Sequence, residues 1–264
     1  MIPTADALVC GFGPGLLLAH GAGSDIQDSY GPLIAPLALG NTVVGPDYPG
    51  SGGTPAPSGP PTLDALADHI VESALRAGVE TFAVSGFSMG TAVAVRTATR
   101  HPARVTALVL SAGLARPDIR LRLAVGTWRA LLGSGDARGL ASYLTLLVNS
   151  PAWLRGRSEA EVEEQLALFA EGMPPGTDGQ LDLLSRLDVR GDLGRVGVPT
   201  LVVSPVDDLL VPPEHSRELA EGIPGAELVE LDCGHAIAAE RPAEWAALIG
   251  DFLTATGHRT PHPE

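Results

Sequence analysis

The sequence predicts an α/β protein: a mostly parallel, doubly wound sheet with a block of helices inserted into it. Six short apolar runs, several with Val and Leu on consecutive positions, read as strands buried on both faces. Amphipathic helical patterns lie between them, and strands alternating with helices favour parallel pairing. Between about Leu114 and Arg190 the alternation stops and only helical patterns remain. A length of 264 residues suits one such domain with an insertion and is short for two independent ones.

The strand runs are Leu16–Ala19, Thr42–Gly45, Thr81–Ser85, Ala107–Ser111, Thr200–Ser204 and Glu227–Leu231. Leu63–Ala77 is a predicted helix with Thr62 as N-cap and Asp64 in its first turn. Thr91–Arg100 stops before Pro102, Pro213–Glu221 opens on proline and closes at Gly222, and Pro242–Phe252 is the last helix. The inserted helices are Ile119–Leu132, Ala137–Leu147, Glu159–Ala170 and Gln180–Leu187. Ser158-Glu159-Ala160-Glu161 is a capping box for the third. Pro174-Pro175-Gly176 reads as a flexible joint, and Gly257–Glu264 as a frayed tail. Residues 1–113 and 191–264 are thus expected to form the sheet domain, and 114–190 a helical cap.

Composition narrows the function. The net charge of −14 disfavours nucleic-acid partners. All 17 basic residues are Arg, so neither a Schiff-base lysine nor a P-loop lysine exists. Cys10 and Cys233 form no disulfide framework and no metal-ligand spacing, and Cys233 reads as a small filler rather than a nucleophile. No apolar run is long enough to cross a bilayer, and Met1–Asp6 lacks the features of a signal peptide. The expectation is a cytoplasmic monomer or homodimer acting on a small molecule, with no cofactor, metal, membrane or nucleic-acid partner.

Four signals carry chemistry. Gly86-Phe87-Ser88-Met89-Gly90 follows a strand and precedes a helix, which places Ser88 on a sharp turn as a nucleophile. His20-Gly21-Ala22-Gly23 follows the first strand run, where backbone amides can hold a developing oxyanion; Ala22 and Met89 are the expected donors. His20 reads as a residue shaping that turn, not as the base. Asp207 and Asp208 follow the Thr200–Ser204 run, and one of them can orient a histidine. His235, after Glu227–Leu231, can reach over the sheet edge to Ser88.

With these motifs the chain resembles the α/β-hydrolase superfamily, and most closely its small bacterial serine hydrolases with a helical cap. Asp47-Tyr48-Pro49-Gly50-Ser51-Gly52-Gly53-Thr54 is similar to the family's structural Asp-x-x-Gly-x-Gly-x-Ser/Thr turn. Asp208 stands four residues before Pro212, as the family's acid does, and this alignment selects Asp208 over Asp207. Gly234-His235 followed by Glu240-Arg241-Pro242 matches the catalytic-histidine segment. Pro205 stands where the family usually has glycine, and Leu209 replaces a frequent proline. The resemblance implies a sheet of about 7–8 strands and the order Ser88, Asp208, His235. The short N-terminus leaves little room for the hairpin that commonly opens the fold.

The implied reaction is hydrolysis of an ester, thioester or lactone of a small hydrophobic molecule through an acyl-enzyme on Ser88. The alternatives on the same scaffold are lyase, C–C hydrolase, cyclisation or perhydrolase chemistry, or a ligand-binding protein without turnover. The cap is expected to set the substrate. Leu121, Leu123, Val125, Trp128, Leu131 and Leu132 form an apolar stretch there, with Trp128 a candidate substrate contact. Arg116, Arg120, Arg122 and Arg129 read as a solvated face, with recognition of an anionic substrate or acidic carrier as the second possibility.

Overall fold

The computed structural model describes residues 7–56, 59–170 and 172–258. The elements run β1 (Leu8–Cys10), β2 (Gly15–Ala19), α1 (Ile26–Ala38), β3 (Thr42–Gly45), α2 (Leu63–Arg76), β4 (Phe82–Phe87), α3 (Met89–Arg100) and β5 (Val105–Ser111). Helices follow: α4 (Ile119–Ser134), α5 (Ala137–Val148), α6 (Pro151–Arg155), α7 (Glu159–Ala170), α8 (Thr177–Arg186) and α9 (Arg190–Leu193). The chain then returns to β6 (Thr200–Pro205), α10 (Pro213–Gly222), β7 (Glu227–Leu231), α11 (Ile237–Glu240) and α12 (Pro242–Ala255).

The strands form one seven-stranded sheet in the order β1-β3-β2-β4-β5-β6-β7. Only β1 pairs antiparallel, against β3. Alternate side chains enter two cores, as the period of a strand requires. Leu16, Leu18, Ala83 and Val109 pack with Tyr30, Leu33 and Trp245 of α1 and α12. Leu17, Val84, Leu108 and Leu110 pack on the other face with α2 and α3. From β2 the chain steps outward to β3, then crosses back to β4 on the far side of β2. The carboxyl ends of β2 and β4 therefore flank the switch point of the sheet, where open α/β folds form their crevice.

Several expectations are corrected. α1 was not expected, because Gly31, Pro32 and Pro36 interrupt its pattern. It forms because Asp25 caps it, accepting from the Asp28 N–H at 2.8 Å, and because Ile26, Tyr30, Leu33 and Leu37 are buried. Pro174-Pro175-Gly176 is pinned rather than loose: the Gly176 N–H donates to the Gly50 carbonyl at 2.9 Å. A Cβ on either glycine would meet the other's backbone, at 2.5 Å from Gly50 and 3.0 Å from Gly176, so the two turns dock backbone to backbone. The start of the expected frayed tail is anchored, since His258 bridges the Gly15 carbonyl and the Thr106 hydroxyl, each at 2.8 Å. Residues 259–264 and the Met1–Asp6 reading lie outside the described residues. In α4, Leu121, Val125 and Trp128 are buried, Leu131 and Leu132 half-buried, and Leu123 exposed. No helix among the described residues is long and apolar enough to cross a membrane.

Candidate active site

Ser88 sits between β4 and α3 with φ 55° and ψ −124°. Two glycines allow this turn. A Cβ on Gly86 would lie 2.4 Å from the Gly90 carbonyl oxygen, and one on Gly90 2.0 Å from that of Ala19. The Ser88 N–H donates to the Ser111 carbonyl at 3.0 Å, and Thr91 returns both its N–H and its hydroxyl to the Ser88 carbonyl. The Ser88 backbone is therefore held at both its N–H and its carbonyl.

Across the sheet edge, His235 Nε2 lies 3.0 Å from Ser88 Oγ, and its Nδ1 lies 2.6 Å from Asp208 Oδ2. All three side chains are buried. The other Asp208 oxygen accepts the Leu210 and Val211 N–H groups at 2.9 and 2.7 Å. These bonds define the Asp208 loop even with Pro205 and Leu209 in place of the family's usual residues. Asp207 is half-exposed; its N–H donates to the Cys233 carbonyl at 3.0 Å, and the carboxylate that meets His235 is that of Asp208. The His235 loop is clamped to the inserted helices. The Ala236 N–H donates to the Val148 carbonyl at 2.8 Å, and Glu240 accepts both the N–H and hydroxyl of Ser150 at 2.7 Å. Cys233 is buried and its thiol is pushed up to about 12 by burial, so it stays protonated.

The turn after β2 is equally fixed. His20 is fully buried, and burial lowers its pKa to about 4, so it is neutral at pH 7. Its Nε2 accepts the Tyr48 N–H at 2.9 Å, which leaves the proton on Nδ1 to donate to the Gly21 carbonyl at 2.8 Å. The Gly21 C=O and the Ala22 N–H share one peptide plane, so this bond also sets the direction of the Ala22 donor. The N–H groups on either side are taken: Gly21 donates to Ser29 Oγ at 3.3 Å, and Gly23 to Gln180 Oε1 at 2.9 Å. The Ala22 N–H between them has no partner among the described residues. Met89 supplies the first N–H of α3, which a helix start leaves without an intrahelical acceptor. Asp47 is structural; its Oδ1 accepts the Ile26 N–H at the start of α1 at 2.9 Å.

These groups open onto a cavity of about 350 Å³ between the sheet and the inserted helices. Leu121, Trp128, Leu144, Val148, Phe169 and Met173 form its apolar walls, with Ser88, His235 and Ala22 also lining it. Trp128 lies on this wall, within reach of the Gly23 turn. Arg116, Arg120, Arg122 and Arg129 do not line it. Arg120 instead donates to the Leu209 carbonyl, and Arg129 pairs with Asp178 and Asp182. Asp28 is the one carboxylate among the described lining residues. Desolvation raises its pKa, opposed by the hydrogen bond from the Ser24 hydroxyl, while its side chain keeps contact with solvent. Sequence reasoning missed the roles of Gln180 and Asp28, and placed Glu240 in the histidine segment without its contact to Ser150. Gln180 and Glu240 act through contacts between residues far apart in the chain, and Asp28 lay in the unexpected α1.

Residues 14–242 match the family model described as alpha/beta hydrolase fold. A pyrrolizixenacetamide deacetylase from Xenorhabdus hominickii is 33% identical over 245 residues, covering 92% of each chain. Among solved structures, the enol-lactonase from Burkholderia xenovorans LB400 has a TM-score of 0.81 at 25% identity, covering 94% of this chain and 95% of its own. A thermophilic esterase from Thermogutta terrifontis has a TM-score of 0.81 at 25% identity, covering 97% of each chain.

Proposed function

The chain belongs to the α/β-hydrolase family, and from that premise we propose that it is a serine hydrolase acting on small, hydrophobic acyl compounds. The observation that carries this reading is the hydrogen-bonded chain Ser88–His235–Asp208 at the floor of an apolar cavity. Ser88 Oγ attacks the carbonyl carbon as His235 Nε2 takes its proton. The carbonyl oxygen becomes an oxyanion held by the Ala22 and Met89 N–H groups. The carbon–leaving-group bond breaks, and His235 returns the proton to the departing atom. His235 then deprotonates a water that attacks the acyl-enzyme, releasing the acid and regenerating Ser88. Asp208 keeps the His235 tautomer that presents Nε2 to Ser88 and stabilises the imidazolium.

Residues 114–190 act as the cap in this reading, and 1–113 with 191–264 as the catalytic core. The cavity volume and apolar walls favour an ester, thioester or lactone of modest size. The names of the related deacetylase and enol-lactonase extend the candidate bond from lactones to acetamides. With Asp28 and no arginine on the described walls, a neutral or cationic substrate suits the cavity better than an anionic one. The test is labelling with a fluorophosphonate, located by mass spectrometry, alongside turnover of p-nitrophenyl acetate. Labelling at Ser88 is expected, with turnover lost by about 10⁴-fold or more in Ser88→Ala. Full turnover in that variant would sink the acyl-enzyme.

A further inference from the structure

One buried side chain of the inserted helices hydrogen-bonds to the oxyanion turn. Gln180, on α8, is 1% exposed. Its Oε1 accepts the Gly23 N–H at 2.9 Å, and its Nε2 donates to Ser51 Oγ at 2.9 Å. The backbone donor at Gly23 dictates which end of the carboxamide carries the oxygen. Ser51 is itself fully buried in the turn after β3, and its N–H donates to the Tyr48 carbonyl at 2.8 Å. The carboxamide thus ties α8 to the turns after both β2 and β3.

The geometry points to Gln180 as a positioning residue for the oxyanion hole: by fixing the Gly23 N–H, it orients the Ala22–Gly23 peptide and so holds the Ala22 N–H toward the reacting carbonyl. Two peptide planes meet at Ala22. The plane before it is held by His20 on the Gly21 carbonyl, and the plane after it by Gln180 on the Gly23 N–H. Gly23 has φ +68°, and a Cβ there would meet Trp128 Cζ2 at 2.7 Å, so α4 blocks that side of the turn. The Gln180 bond closes the remaining freedom. A donor aimed at an oxyanion loses its effect steeply when misdirected, because the stabilisation exists only when the charge develops. This inference rests on the serine-hydrolase reading.

Gln180→Leu removes both hydrogen bonds at similar volume. It is expected to lower kcat by about 10- to 100-fold with KM within about threefold. Affinity for a trifluoromethyl ketone, whose adduct carries the oxyanion, should fall by the same factor, while affinity for the product alcohol stays unchanged. Active-site titration normalises kcat to folded enzyme, so loss of folded protein cannot imitate the effect. Gln180→Glu keeps an acceptor for Gly23 but, once it ionises, places a buried negative charge against the turn that carries the Ala22 donor. Its kcat relative to wild type should therefore fall as pH rises, a profile that a packing role would not produce. Ser51→Ala leaves the Gly23 bond in place and should lower kcat by less than about threefold. Unchanged kcat and ketone affinity in Gln180→Leu, or an equal loss in Ser51→Ala, would overturn the inference alone. Absence of fluorophosphonate labelling at wild-type Ser88 would overturn the serine-hydrolase reading and the inference with it.

Discussion

The turns at the carboxyl edge of the sheet and the helices that cover them are built to different standards. At the edge, His20, Ser88, Asp208 and His235 are all buried, and each side chain has a named hydrogen-bond partner. In the covering helices, α6 has no buried residue, and the ion pairs Arg138–Glu163 and Arg157–Glu161 lie in solvent. The helices differ among themselves as well. α8 buries Thr177, Gln180, Leu181, Leu183 and Leu184, and its leucines join the core on the α2 and α3 side of the sheet. In the proposed serine hydrolase the chemistry is held by buried, hydrogen-bonded turns, while the cavity walls that face them are mostly apolar. Changes at the edge should alter rate, and changes in the walls should alter preference.

The sharpest division is between the two adjacent aspartates. Asp208→Asn should lower kcat by about 10³- to 10⁴-fold, because an amide no longer selects the His235 tautomer that serves Ser88. Asp207→Asn should change it less than about twofold. Steady-state kinetics on both decide, and equal losses would reverse the assignment.

Acid separates the regions next. His20 titrates near 6.5 when unfolded and near 4 when folded, so the unfolded chain binds the extra proton first. Its contribution to stability is complete above pH 6.5 and is lost as pH falls toward 4, by roughly 3 kcal/mol in all. His69 is lowered by burial in the same direction and adds to that limb. Glu161 of the capping box behaves differently. Hydrogen bonds from the Ser158 N–H and hydroxyl hold its pKa at about 2, so that cap weakens only as pH falls from 4.5 toward 2. Urea unfolding from pH 7 to 4 should show the His20 slope in wild type and a shallower one in His20→Gln. Identical slopes would show that the turn is not the acid-sensitive element.

The smallest effect belongs to the walls. Trp128→Ala should enlarge the cavity and shift kcat/KM among acyl chain lengths by about tenfold toward longer chains. kcat for an acetyl ester should remain within a few-fold of wild type. A loss of acetyl turnover comparable with that of Asp208→Asn would mean that Trp128 supports the Gly23 turn more than it shapes the substrate space.

The sheet was largely legible because buried parallel strands write continuous Val and Leu runs. The pentapeptide around Ser88 was legible because only glycine fits at 86 and 90. Asp208 needed the spacing to Pro212, since two neighbouring aspartates look alike in sequence. What escaped had tertiary causes. α1 carries two prolines and a glycine and forms because Tyr30 donates to the Ser85 carbonyl at 2.9 Å and stacks on Trp245. β1 is three residues long with mostly exposed side chains, too brief to show a period. Gln180 lies in an ordinary helical pattern, and its partners are 157 and 129 residues away. The chance of reading such a contact from one sequence is small, because nothing local depends on it.

Ser88 holds a left-handed backbone, with φ 55°. A positive φ at a residue with a Cβ costs roughly 1–3 kcal/mol, which glycine would recover. In the proposed serine hydrolase, stability and catalysis therefore pull Ser88 in opposite directions. A descendant released from turnover would gain stability by exchanging its serine for glycine while keeping the cavity above it. Glycine at this turn, beside an intact histidine and aspartate, would then be the mark of a retired enzyme that still binds.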